Sequence, residues 1–174
     1  MEIEQLYKEH SDKVYSYIYF LVHHKECAED LTQETFYKAY KGLGTFNKEA
    51  STSTWLLKIA RNVTYDYFRR KRVLQFFSFE KEHDIDNKEL SPEMSYEKKE
   101  QLTRMYNSLS TLKKDYREVL LLRKIQECSI QETAYILGWT EAKVKMKMTR
   151  ALEALKKEFH QEGGHTNGSN QRIR

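Results

Sequence analysis

At 174 residues the chain has room for one ordinary domain or two small ones. Its 39% hydrophobic and 13% aromatic residues can furnish helical cores, but 32% charged residues argue against one large buried core. One proline and six glycines favour helices over a turn-rich β architecture.

The net charge of +4 is modest and unevenly spread. Residues 1–73 carry 12 Lys/Arg against 10 Asp/Glu, residues 74–100 carry 4 against 8, and residues 101–160 carry 12 against 7. Two basic blocks therefore flank an acidic spacer. Two cysteines, Cys27 and Cys128, form no disulfide framework. The polar opening MEIEQLYKEH is not a secretory signal, and Val14 to Val22 is too short and too interrupted to span a bilayer. The expected setting is a reducing cytoplasm, with no insertion into a membrane.

Ile3, Leu6, Tyr7, Val14, Tyr17, Ile18 and Leu21 approximate helical spacing and predict a first helix to about Val22. If helix continued, His23 and Cys27 would share a face, but metal binding needs further ligands and no others are suitably spaced. The segment AEDLTQETFYKAYKGLGTF predicts a second helix, with Gly42 and Gly44 suited to its C-terminal cap. Ala28, Leu31, Thr35, Phe36, Ala39 and Tyr40 supply its buried contacts. Asp30, Gln33, Glu34 and Tyr37 make an outward acidic-polar strip, open to protein docking or to plain solvation. Nothing there implies the pocket that acid/base catalysis requires.

NKEASTS, from Asn47 to Ser53, is a loop whose Ser51, Thr52 or Ser53 can cap the next helix. That helix, TWLLKIARNVTYDYFRRKR, sorts into two faces. Trp55, Leu56, Ile59, Ala60, Val63 and Tyr67 lie on one side. Lys58, Arg61, Tyr65, Arg69 and Arg72 lie nearly opposite, with Asn62 and Phe68 on the flanks. A cationic face with a ring set into it suits a nucleic acid: cations meet phosphates and the ring offers a stacking platform. It also suits an ordinary core helix with a solvated basic side.

Residues 74–101 read as an acidic linker containing the lone Pro92. The second block opens with Leu102, Met105, Tyr106 and Leu109 on one stripe. Leu112, Tyr116, Val119, Leu120, Leu122 and Ile125 then carry a further helix. Ser129-Ile-Gln-Glu132 is a capping-box pattern, Gly138 permits a sharp turn, and Thr140 is the N-cap of a longer helix to about Phe159. Val144, Met148, Ala151 and Leu155 are expected to face inward, with Lys143, Lys145, Lys147 and Arg150 spread over the outer surface. A short helix, a glycine turn and a longer basic helix match a helix-turn-helix, which puts the N-terminal part of its second helix in the major groove; they also suit an αα-hairpin with a lysine-rich face. The tail 161–174 is expected to be disordered. The fold class is thus all-α, with two small helical domains joined by an acidic linker and a helix-turn-helix in the second.

AEDLTQETF, TWLLKIARN with its basic continuation, and SIQETAYILGWTEAKVKMKMTRALEALK occur in the order seen in bacterial sigma factors. The chain resembles the small two-domain extracytoplasmic-function (ECF) group over roughly residues 1–73 and 102–158. The resemblance implies that 1–73 is sigma region two and 102–160 is region four. It implies a non-enzymatic promoter-specificity subunit without cofactor or metal, whose partners are core RNA polymerase, promoter DNA and, by family analogy, an anti-sigma factor. Asp30, Gln33, Glu34 and Tyr37 would dock on polymerase. Asn47, Lys48, Ser51, Thr52, Lys58, Arg61, Asn62, Tyr65, Arg69 and Arg72 would handle the minus-ten element. Thr140, Lys143, Lys145, Lys147, Thr149 and Arg150 would meet the minus-thirty-five element, with Lys145, Thr149 and Arg150 at the reading positions and Lys147 nearer the backbone. Two departures stand out. Lys113 follows Leu112 where the family usually has proline, which leaves the turn there open to another geometry. Lys145 and Lys147 stand where arginine is common, and lysine lacks arginine's planar fork for guanine. A free-standing helix-turn-helix regulator is the alternative reading.

Overall fold

Helix α1, Ile3–Val22, buries Leu6, Val14, Tyr17, Ile18 and Leu21 along one stripe. The computed structural model to which it belongs describes residues 2–46, 49–77 and 107–164. Helix α1 stops where His23 turns left-handed (φ 52°), its N–H donating to the Tyr19 carbonyl at 2.8 Å. His24 then caps α2, Lys25–Gly42, by accepting from the Cys27 N–H. His23 and Cys27 therefore flank a helix break and do not share a helical face.

Helix α2 ends without the glycine cap expected of it. Gly42 has φ −90°, and a 3-10 turn, Leu43–Thr45, follows directly. Gly42 serves packing instead. A Cβ there would stand 3.3 Å from Trp55 Cζ2, so its bare backbone lets the indole approach. Phe46 stacks on the other part of that contact, 4.6 Å from Trp55 between ring centroids.

Ser51 caps α3, Thr52–Phe77, by accepting from the Thr54 N–H at 3.2 Å. Leu56, Leu57, Ala60 and Val63 pack on α1 and α2. Thr32, Thr35 and Thr64 sit in this core because each hydroxyl donates to its own helix's carbonyl four residues back. Helix α3 runs on to Phe77, past the expected start of the linker; residues 78–106 lie outside the described residues, as do Asn47 and Lys48.

The second unit resumes in helical residues 107–110. Lys113 has φ −54° and ψ 144°, values that proline also adopts. Arg117 donates to the carbonyls of Leu109, Ser110 and Leu112, holding the turn by side chain. Helix α4, Lys114–Leu120, continues into a π-helical turn, Leu121–Ile125. Helix α5, Ile130–Leu137, begins with the complete Ser129/Glu132 capping box. Gly138, at φ 67°, turns the chain into α6, Glu141–Gly164, whose N-cap Thr140 accepts from the Lys143 N–H. Helix thus persists into the segment expected to be disordered, and residues 165–174 lie outside the described residues.

No Cβ clash would penalise Gly138→Ala, so only the left-handed backbone would. That variant should cost roughly 1–2 kcal/mol, read as a lower denaturation midpoint with an unchanged slope.

Val119, Leu120, Val144 and Ala151 close a small core between α4, α5 and α6. Leu121, Leu122, Ile136 and Leu137 turn the other way and join the core of α1–α3. The two helical units therefore pack directly on one another, α3 against α5 and α4.

Candidate nucleic-acid interface

That packing determines what is exposed on α3. Arg61 Nε donates to Glu118 Oε1 at 2.6 Å, and Glu118 is only 1% exposed. Lys58 Nζ lies 3.9 Å from the centre of the Tyr135 ring. At the head of the helix, the Thr54 hydroxyl donates to Glu132 Oε1 at 2.7 Å, with Ser51 Oγ 3.4 Å from the same oxygen. Glu132 divides its labour: Oε2 accepts from the Ser129 N–H while Oε1 reaches α3. The Ser129 backbone bond, followed by the Thr54 bond, holds its carboxyl below the ordinary range.

Tyr65 is half-buried at this junction. Lys114 Nζ stands 3.6 Å from its ring centre and Arg61 Cζ 5.0 Å. Burial, and then the charge of Glu118, push its hydroxyl well above the ordinary phenol range. Asn62, Arg69 and Arg72 remain exposed, and Thr52 is half-buried. Arg69 pairs with Asp66 one turn earlier. The structure thus divides the ten minus-ten candidates. Ser51, Lys58, Arg61 and Tyr65 face the second unit, Asn62, Arg69 and Arg72 are exposed, Thr52 is half-buried at the head of the helix, and Asn47 and Lys48 are not described.

On α6, Lys143, Lys145, Thr149 and Arg150 are exposed on the outer side, while Val144 and Ala151 are buried. Lys143 Nζ is 4.4 Å from the Trp139 ring centre, and the Thr149 hydroxyl donates back to the Lys145 carbonyl. Lys147 differs from its neighbours. Its Nζ donates to Asp115 Oδ2 at 2.6 Å, tying α6 to α4 and, as the largest influence, lowering the Asp115 pKa. On α2, Asp30, Gln33 and Tyr37 are exposed, whereas Glu34 bridges Lys38 (3.1 Å) and Arg70 of α3 (3.5 Å).

The residues of the second unit that cover α3 are Lys114, Glu118, Glu132 and Tyr135; of these the sequence marks Glu132 alone, and only as a capping residue. Glu118 carried a usable signal. It sits beside the run Val119–Leu122, which is apolar all round, and a helix of that kind is enclosed by more than one neighbour. A carboxylate there requires a partner.

These helices define a two-unit, helix-turn-helix nucleic-acid-binding protein. Residues 6–73 match Sigma-70 region 2, and residues 102–155 match Sigma-70 region 4. The chain is 35% identical to the RNA polymerase sigma factor YlaC of Bacillus subtilis, over 89% of this chain and 90% of that one. It is 36% identical to the ECF RNA polymerase sigma factor SigX of the same organism, over 87% and 80%. Its fold is like that of a Bartonella quintana sigma factor, RpoE, solved with the anti-sigma factor NepR. There the TM-score is 0.77 at 23% identity, covering 88% of this chain and 94% of that one. The chain belongs to the ECF sigma factors, the promoter-specificity subunits of RNA polymerase. Among its described residues, no helix is long and apolar enough to cross a membrane.

Proposed function

We propose that the division of labour within this sigma factor follows the two helical units, residues 1–73 and 102–160. Asp30, Gln33 and Tyr37 of α2 dock on core polymerase, and Glu34 braces that surface through Arg70. Asn62, with the preceding loop from Asn47 to Thr52, receives a base displaced from the minus-ten element. Lys58, Arg61, Tyr65, Arg69 and Arg72 hold the separated strand by charge and stacking. Capturing the flipped base offsets the stacking lost on melting. The helix from Glu141 meets the minus-thirty-five element through Thr140, Lys143, Lys145, Thr149 and Arg150, with Lys147 confined to the phosphate side by its tie to Asp115.

The observation that carries this reading is the exposed cationic outer side of α6 on a capped helix-turn-helix, joined to a second unit with a basic, tyrosine-bearing helix. Strand capture also demands a conformational step, since Arg61, Lys58 and Tyr65 must leave Glu118, Tyr135 and Lys114. An anti-sigma factor of this chain would act by holding the units together. The chain itself supplies no catalytic group; phosphoryl transfer belongs to the polymerase, and the cytoplasm is its place of work.

Comigration with core polymerase on gel filtration tests the docking assignment, and two separate elution peaks would contradict it. Arg150→Ala should cost roughly 1–3 kcal/mol in promoter binding, concentrated at one upstream base pair. A loss equal across upstream variants would make Arg150 a phosphate contact. Asn62→Ala should slow opening selectively at promoters carrying the preferred minus-ten base, with polymerase association retained; permanganate footprinting of several minus-ten variants reads this directly.

A further inference from the structure

Among the described residues, the second unit covers the N-terminal half of α3's basic face and leaves its C-terminal end open. There, between α3 and α4, lies a cleft of about 410 Å3 lined by Tyr65, Phe68, Arg69, Arg72 and Lys114. Tyr65 and Phe68 meet edge to face with ring centres 5.9 Å apart. Arg69, Arg72 and Lys114 are exposed, and Lys114 is contributed by the other helical unit. The carboxylates nearby are already committed: Asp66 pairs with Arg69, and Asp115 with Lys147. Among the described residues, neither carboxylate forms an ion pair with Arg72 or Lys114, although Asp115 lies within the field of Lys114.

Two cations beside two half-buried rings can recognise a phosphate and an aromatic base together. The space decides which ligand fits. A strand would have to continue along α3 past Tyr65, where Arg61 is bound to Glu118 and Lys58 lies on Tyr135. Among the described residues, the closed arrangement leaves room at the cleft for about one nucleotide, within the size range of small-ligand pockets.

We infer that the cleft is a site for a free nucleoside phosphate, its base on the Tyr65–Phe68 rings and its phosphates between Arg72 and Lys114. This rests on the assignment of α3 to nucleic-acid binding. Lys114 exchanges its contact with the Tyr65 ring for a charge-assisted hydrogen bond, the stronger interaction. Because the ligand touches both units, its occupancy favours the closed arrangement and opposes strand capture by mass action.

Calorimetric titration of the full chain with ATP, adenosine and tripolyphosphate, in the absence of polymerase, tests the site. ATP should bind, with adenosine and tripolyphosphate each at least about tenfold weaker, since each lacks one half of the recognition. Lys114→Ala should weaken ATP about tenfold or more, the worth of one hydrogen bond to a charged group, while Arg150→Ala leaves it unchanged. No heat at millimolar ATP, tripolyphosphate binding as well as ATP, or an unaltered Lys114→Ala would each overturn the inference. A single-stranded oligonucleotide that binds far more tightly than ATP and ignores Lys114→Ala would also overturn it, by marking the cleft as part of the strand surface alone. Lys114→Ala should still comigrate with core polymerase. Failure of the cleft with comigration retained is therefore distinct from failure of the sigma assignment.

Discussion

Arg61→Ala is expected to open the molecule. The substitution strands Glu118, 1% exposed, without the guanidinium that balances its charge. Breaking a buried pair from one side costs about 3–5 kcal/mol while the other charge stays buried. Glu118 escapes that cost if the helical units part, because water then reaches it. The expected result is separation of the units before either unfolds, with the closed-to-open ratio falling by a factor of about 100 or more. Small-angle scattering should report a larger radius of gyration, and an interunit fluorescence pair a loss of transfer. Glu118→Ala should have the smaller effect, since Arg61 is 20% exposed and can turn to solvent. Equal compactness of wild type and Arg61→Ala would contradict this account of the interface.

Leu122→Ala attacks the same interface through packing. Leu122 is fully buried and belongs to the core shared with α1–α3, although it sits on the helix of the second unit. Loss of three carbons and the residual cavity should cost about 2–5 kcal/mol. The loss should fall on contact between the units more than on the α4–α6 core, whose central residues are Val119, Leu120, Val144 and Ala151. Hydrogen exchange should therefore accelerate across the α3–α5 contact while amides near Val144 keep their protection. Uniform acceleration throughout 107–157 would instead make Leu122 a core residue of the second unit alone.

These two predictions concern the part of the structure that was hardest to read from sequence. Local signals were legible where a residue acts on its own chain neighbourhood. Ser129 with Glu132, Thr140 before α6 and Ser51 before α3 all cap as their side-chain chemistry suggests. The inward stripe of Val144 and Ala151 was equally plain, because helical period alone sets it. Gly42 packs and does not cap because its role is set by Trp55 arriving from another helix, and no property of Gly42 itself announces that. The Lys113 turn keeps proline-like backbone angles because Arg117, further along the chain, binds its carbonyls.

For the candidate site, the basic face of α3 was legible, but what lies over it was not. The regular apolar side of the helix points Lys58, Arg61 and Tyr65, which lie opposite it, to solvent and nucleic acid. Their partners Tyr135, Glu118 and Lys114 follow much later in the chain, and pairing over that distance leaves no periodic trace. The continuous run Val119–Leu122, with Glu118 at its head, was the available clue to a second packed surface. Lys147 shows the same limit: spacing separates it from the core, but only the position of Asp115 engages it.

This chain gives core RNA polymerase its promoter specificity. Run-off transcription with purified core polymerase on a library of genomic fragments tests it most directly. Discrete start sites, absent with core polymerase alone and sharing two upstream elements, are expected. Transcripts no different from those of core polymerase alone, together with sequence-specific duplex binding by the free chain, would contradict it and favour an independent helix-turn-helix regulator.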